Sequence, residues 1–414
     1  RWARPIFRQG RHGMEQTGKR AAWMSTLGAI FNRNFNVVAV INLLVMTAYY
    51  MIFVTGAPHV REAYDVSLSV AGLSSGVMVM GCLSGRFASG SLLSFFGCRT
   101  ILVSGILLYL GSMAAFFLAG SLPVLFVQRF LTGIAVGVTG TATGTIVAYV
   151  VPRECHGLGI SLFTMSTAVA LAAGPFFGIA LVDGFGYRSV VWTSFLFGVI
   201  CLAVFFALRT LPHMLKKHRP MTDLYSYIDP RVVRFSLVAL VACLGYGCIQ
   251  AFLTSFAAER GVSDVASLFF LVYAAAALGT RPFSGHILDN YGPNVVFYPA
   301  LLIMASAMAL LAVTENSVMF LLGAVLLGAG FGNFQSAGQA VSLTLVTRSR
   351  FAQATTTFFL FFDLGIGLGP YLFGFLVPSF GYEGMFFSLA VVALFAAFLY
   401  WFEYGRMKHR RHHA

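Results

Sequence analysis

Charged side chains are scarce in this chain: Lys, Arg, Asp and Glu make up 10% of its 414 residues, and only 14 residues are acidic. A soluble domain carries about 25%. That deficit excludes a water-soluble globule, and the 58% hydrophobic share with a mean hydropathy of +0.82 makes hydrocarbon the solvent. Alternation of apolar and polar residues over about ten positions is missing, which argues against a membrane β-barrel. Cysteine is sparse too. Cys82, Cys98, Cys155, Cys201, Cys243 and Cys248 fall in apolar runs or at their ends, without zinc spacing and with no histidine or carboxylate alongside, so neither a disulfide framework nor a metal site is implied. They read as small packing residues, and no cofactor is expected.

Catalytic constellations are also wanting. "HILD" (286–289) brings a histidine near an acid, but no second carboxylate, nucleophile or metal ligand joins it, which sets an enzyme aside. No carbonyl filter or charge ring supports a channel. A cleavable leader is not expected either, because basic residues run for about 35 positions before any apolar core begins. The numbering starts at Arg1, with Met14 an alternative initiator.

What is present is a series of apolar runs, each long enough at about 1.5 Å per residue to cross about 30 Å of hydrocarbon. They fall at roughly 37–57, 67–93, 99–119, 122–150, 157–182, 189–209, 233–257, 265–288, 295–314, 317–346, 353–378 and 384–404. The expected fold is an all-α polytopic membrane protein of about twelve transmembrane helices. The chain divides into a basic N-terminal tail (1–36), a six-helix bundle (37–209), a polar connection (210–232), a second six-helix bundle (233–405) and a basic C-terminal tail (406–414).

The net charge of +13 is concentrated on one side of the membrane. Both tails and the connection are rich in Arg and Lys, and Arg99, Arg153, Arg348 and Arg350 fall in loops on that same side, against Arg61, Arg188 and Arg260 on the other. The positive-inside rule therefore predicts cytoplasmic termini for a multi-pass protein of the cytoplasmic (inner) membrane. A basic surface so placed faces lipid headgroups, and nucleic acid is not an expected partner.

An internal repeat sets the architecture. "GRFASGSLLSFFG" (85–97) aligns with "TRPFSGHILDNYG" (280–292), so that Arg86 falls on Arg281, Ser89 on Ser284, Gly90 on Gly285 and Gly97 on Gly292, an offset of 195. The same shift places Gly133 and Gly137 on Gly328 and Gly332, Gly174-Pro175 on Gly369-Pro370, and Gly186-Tyr187 on Gly381-Tyr382. Two six-helix units of one design follow each other in parallel orientation.

Such a repeat, with a charged connection between its halves, resembles the major facilitator superfamily (MFS) of secondary transporters, and the resemblance covers about residues 37–405. Its most specific element is the loop after the second helix of each half, Gly-x-Leu-x-Asp-x-x-Gly-x-Arg/Lys in the family. The first copy keeps Gly90, Gly97 and Arg99 but has Ser94 at the acidic position; the second keeps Gly285, Asp289 and Gly292 but lacks the trailing base. A carboxylate there can latch two bundles by facing an arginine or a helix N-terminus, so Ser94 weakens one latch. Arg129 to Gly133 resembles the family's Arg-x-x-x-Gly of the fourth helix. "AGPFFG" (173–178) and "LGPYLFG" (368–374) resemble the Gly-Pro motif of its exporting, proton-exchanging branches; Gly174, Pro175, Gly369 and Pro370 also suit helices that bend and pack closely.

Within "FFLFFDLGIGLGP" (358–370) stands Asp363, an acid in the eleventh span. A charged aspartate at the bilayer centre costs about 2.5–3.5 kcal/mol on insertion scales, so it must face a cavity, find a partner or stay protonated. A carboxyl group poised among those states is a candidate proton carrier. Arg129 is the deep cation read as its partner by charge. The resemblance implies that helices 1, 4, 7 and 10 line the pathway. Their polar residues, Asn42, Tyr49 and Tyr50, Tyr246 and Gln250, and Asn333, Gln335 and Gln339, are the candidate substrate contacts, able to hold an amphiphilic or anionic molecule. The expected activity is a proton-coupled exporter of a small organic molecule, acting as a monomer by alternating access. A proton symporter importing a metabolite is the alternative, and a non-transporting sensor on the same fold is a further one.

Overall fold

The computed structural model describes residues 30–118, 120–152, 156–209, 228–347 and 350–405. Both tails, most of the 210–232 connection, and Arg153, Cys155 and Arg348 lie outside the described residues; Gly90, Ser94, Gly285 and Asp289 are described only as helical backbone. Among the described residues, twelve helices are long and apolar enough to span a membrane. They are α1 (Arg33–Tyr64), α2 (Leu68–Ser89), α3 (Phe96–Phe116), α4 (Leu122–Val150), α5 (His156–Phe185), α6 (Tyr187–Phe205), α7 (Pro230–Glu259), α8 (Ala266–Tyr291), α9 (Asn294–Ala312), α10 (Ser317–Thr344), α11 (Phe351–Gly374) and α12 (Val377–Tyr400). No strand occurs among the described residues. α1 outruns its expected span because its last turns carry Arg61 and Glu62 and continue beyond the apolar run.

The two halves pack alike. α1 lies on α5 and α2 on α4 in the first half, as α7 lies on α11 and α8 on α10 in the second. Turns repeat with them: Gly97 (φ 78°) mirrors Gly292 (φ 85°), and Gly186 (φ 77°) mirrors Gly381 (φ 66°). These left-handed conformations carry a steric penalty for any residue with a Cβ.

The bundles meet mainly through α2 with α11, α5 with α8, and α1 with α7, with a smaller contact of α2 on α7 at Gly72 and Phe252. The face from which α1 starts carries Arg99, Arg209, Arg231 and Arg350 and is termed the basic face. On the opposite side the bundles are zipped together. Val54, Ala57, Val60, Leu68 and Ala71 of the first half belong to one continuous core with α7 to α12, and Gly72 abuts the Pro370 carbonyl as Gly76 abuts that of Gly367.

One ion pair braces the second bundle at the basic face. Asp229, fully buried, caps α7 by accepting from the Arg231 N–H, its own N–H donates to Thr357 Oγ1 of α11 at 2.9 Å, and its carboxylate meets Arg350 Nη1 at 3.1 Å. Arg350 therefore has a partner inside the protein while part of its side chain stays exposed at the basic face. Removing a cation from a buried carboxylate leaves that charge unmatched. Arg350→Ala is expected to lower stability by about 1–3 kcal/mol, read as a lower unfolding midpoint in detergent, whereas Arg99→Ala, which removes only an exposed cation over the Phe205 ring, should change it by less than about 0.5 kcal/mol.

Candidate functional site

The glycine train of α11 explains how an acid is carried to the junction of the bundles. Gly365 and Gly369, four apart, press on the Leu240 and Leu244 carbonyls of α7, while Gly367 faces Val79 and Gly76 of α2. α11 is thus wedged between its own bundle and the other one. One turn before the wedge, Asp363 Oδ2 lies 3.0 Å from Arg86 Nη1 of α2. The pair sits where the zipped interface ends, and its solvent contact is unequal, with Arg86 39% and Asp363 18% exposed.

Around the pair, Tyr49 and Tyr50 of α1, Cys82 of α2 and Cys243 of α7 lie within electrostatic reach of Asp363. Tyr49 and Tyr50 meet edge to face at 5.3 Å and are partly exposed. Across from them, Tyr246 is stacked at 3.9 Å on Phe331 and lies 5.6 Å from the ring of Tyr273 in α8, and Gln250 donates to the Tyr246 hydroxyl at 3.4 Å. Tyr50 interacts electrostatically with both Tyr246 and Tyr273, so the tyrosines of the two bundles converge.

Two expected substrate contacts are otherwise engaged. Asn42 is buried and donates to Ser166 Oγ and Thr167 Oγ1 of α5 at 2.8 and 3.0 Å. Asn333 donates to Thr280 Oγ1 and accepts from Ser284, tying α10 to α8. Both amides act as interhelical brackets because bonding inside the bundle satisfies groups that lipid cannot. Gln335 and Gln339 are half-buried on α10.

Arg129 is not the partner of Asp363. It stands two turns into α4 from the side opposite the basic face, whereas Arg86 lies about 27 Å along α2 from that side. Buried there, Arg129 donates to the Tyr187 hydroxyl and lies 5.8 Å from the centre of that ring. Tyr187 in turn stacks on His59 at 3.8 Å. This stack borders a cavity of about 700 Å³ that opens away from the basic face, with Glu62, Asp183 and Arg188 also in its wall.

Sequence reasoning missed Arg86, Tyr273 and Arg281. The signal was available, since Arg86 and Arg281 both lie well inside expected spans, but they registered only as markers of the repeat. Their helices end near the basic loops, and a long arginine there ordinarily reaches back to the headgroups. Both Gly-Pro motifs lie at close helix contacts: Gly174 packs α5 against Thr47 and Tyr50 of α1, and Gly369 packs α11 against α7.

Comparison with known proteins agrees with this architecture. The family model described as Major Facilitator Superfamily matches residues 38–314 and 235–413. The chain is 25% identical over 352 residues to the uncharacterized MFS-type transporter YhhS of Shigella flexneri, covering 83% of this chain and 85% of that one. It is 28% identical over 288 residues to the multidrug resistance protein MdtG of Salmonella typhimurium, covering 66% and 70%. Among solved structures it resembles a bacterial homologue of the human lysosomal transporter Spinster, inward-facing and unoccupied, with a TM-score of 0.74 at 16% identity over 89% of this chain and 96% of that one.

Proposed function

Because the chain belongs to the major facilitator superfamily of membrane transporters, we propose that it is a secondary carrier that exports a small organic molecule in exchange for protons. The observation that carries this reading is the Arg86–Asp363 pair, an ion pair joining the two bodies that must move apart. Protonation of Asp363 neutralises the carboxylate and removes its attraction to Arg86, so the free energy of the α2–α11 contact depends on proton occupancy. Rocking of the bundles about the central tyrosines then alternates access. The multidrug resistance assignment of MdtG supports the outward direction, as does the Gly-Pro motif in α5 and α11.

The test is flux in everted membrane vesicles across a panel of organic solutes, with an imposed pH gradient that can be collapsed. Export reads as solute accumulation that disappears with the gradient. Accumulation in right-side-out vesicles instead would make the chain an importing symporter, and solute movement indifferent to the gradient would remove proton coupling.

The same proposal places the protein in the inner membrane as a monomer, with its tails and the 210–232 connection in the cytoplasm. A cysteine introduced by Lys217→Cys is expected to resist impermeant maleimide in intact cells and to react in everted vesicles. Labelling from outside would invert the topology.

A further inference from the structure

The repeat relates Arg86 to Arg281, but the two arginines have different surroundings. Arg86 reaches across from α2 to α11 and finds Asp363. By the same symmetry Arg281 stands on α8, which packs on α5 as α2 packs on α11. The residue 195 positions before Asp363 is Ala168. The position that supplies the carboxylate in one half holds a methyl group in the other.

Among the described residues no carboxylate pairs with Arg281, and its Nε is buried with no hydrogen-bond partner. The guanidinium lies within electrostatic reach of Tyr273, the ring that joins Tyr246 and Tyr50 in the central cluster. The inner part of this site holds Arg86, Arg281 and Asp363, two cations and one anion. A guanidinium is always charged and presents its N–H groups as a planar fork that matches a carboxylate. An uncompensated charge at this depth is costly unless something of opposite sign joins it.

We propose that Arg281 anchors the anionic group of the transported molecule, so that the substrate class is an amphiphilic organic monoanion, a carboxylate on an aromatic or apolar body, held between Arg281 and the partly exposed tyrosines of α1. This rests on the carrier reading above and specifies its cargo. The apolar body suits the partly exposed rings of Tyr49 and Tyr50, behind which Tyr246 and Tyr273 are buried. One negative charge brings the inner site to neutrality while Asp363 is ionised, and proton uptake at Asp363 then alters the field in which the bound anion sits.

The experiment uses three probes of one shape and different charge, 2-naphthoate, 2-naphthamide and 2-naphthylmethylammonium, with the full chain in detergent and in liposomes. Expected are a rise of the unfolding midpoint with naphthoate above that with the amide or the ammonium, and gradient-driven flux of naphthoate. Arg281→Gln should weaken the apparent naphthoate affinity by about tenfold or more, the scale of a lost charge-assisted pair, and Arg281→Lys should restore part of it. A well-folded Arg281→Gln protein with unchanged naphthoate affinity overturns the anchor, as does failure of naphthoate to bind the unsubstituted protein. Gradient-driven movement of the amide or the ammonium alone, indifferent to Arg281, overturns the anchor but leaves the carrier intact. Naphthoate binding that depends on Arg281 without movement of any probe upholds the anchor and removes the carrier reading.

Discussion

Asp363→Asn is expected to abolish most of the pH-driven flux, since an intramembrane acid is a candidate proton relay, while exchange of substrate without a gradient survives. Asparagine keeps the shape of the side chain and its reach toward Arg86, which still donates to the amide oxygen, but it no longer titrates. The groups facing Asp363 are Arg86 and Cys82 of α2, Tyr49 and Tyr50 of α1, and Cys243 of α7. Only Arg86 among them is charged at neutral pH, so proton occupancy of Asp363 is coupled to one cation on the other bundle. The sign follows: acidification favours the neutral acid and loosens α2 from α11, and alkalinisation favours the carboxylate and holds them together. Arg86→Gln removes the same attraction from the other side, and the double substitution should cost less than the sum of the singles, as partners in one interaction do. Flux measured against pH on both sides of the membrane is the check. A profile of Asp363→Asn that superimposes on that of the unsubstituted chain would reduce the acid to a structural brace.

The architecture was legible in the sequence because its two causes are both one-dimensional. Hydrocarbon thickness sets helix length, and an offset of 195 repeats the packing glycines, so Gly133 on Met78 has its counterpart in Gly328 on Tyr273, itself 195 positions after Met78. The site was legible only in part. Asp363 stood out because an acid in an apolar run has few explanations, and Tyr49 and Tyr50 lie partly exposed beside it, whereas Tyr246 and Gln250 are buried and hydrogen-bonded to each other. Its partner did not stand out. Arg86 and Asp363 are far apart in the chain and belong to different bundles, and only the wedge made by Gly365, Gly367 and Gly369 brings α11 against α2 at the register that joins them. Asn42 and Asn333 were read as pathway residues since polarity inside a membrane helix has two uses. Whether an amide faces a cavity or a neighbouring helix depends on a rotation of the helix that composition leaves open.

The largest structural effect is expected from the packing glycines, and it should be the same in both halves. A Cβ added at Gly133 falls on the Met78 carbonyl oxygen and close to the Cys82 amide nitrogen, and one at Gly328 falls on the Tyr273 carbonyl oxygen with the Ala277 nitrogen 3.1 Å away. These are backbone atoms of α2 and α8, which cannot rotate aside as a side chain can, so the helices themselves must separate. α2 and α8 carry Arg86 and Arg281, and a shift of either moves a site arginine relative to the tyrosines. Gly133→Ala and Gly328→Ala are each expected to destabilise by about 3 kcal/mol or more, the upper end of overpacking. Gly144, on the same helix as Gly133, has nothing within 4 Å of its added Cβ, and there alanine should be neutral or stabilising by up to about 1 kcal/mol through helix propensity. Unfolding midpoints of the three variants in one detergent make the comparison. Equal midpoints for Gly133→Ala and Gly144→Ala would mean that α2 and α4 are not in backbone contact. A loss at Gly133 without one at Gly328 would mean that the two halves, though related in sequence, are not held by the same contact.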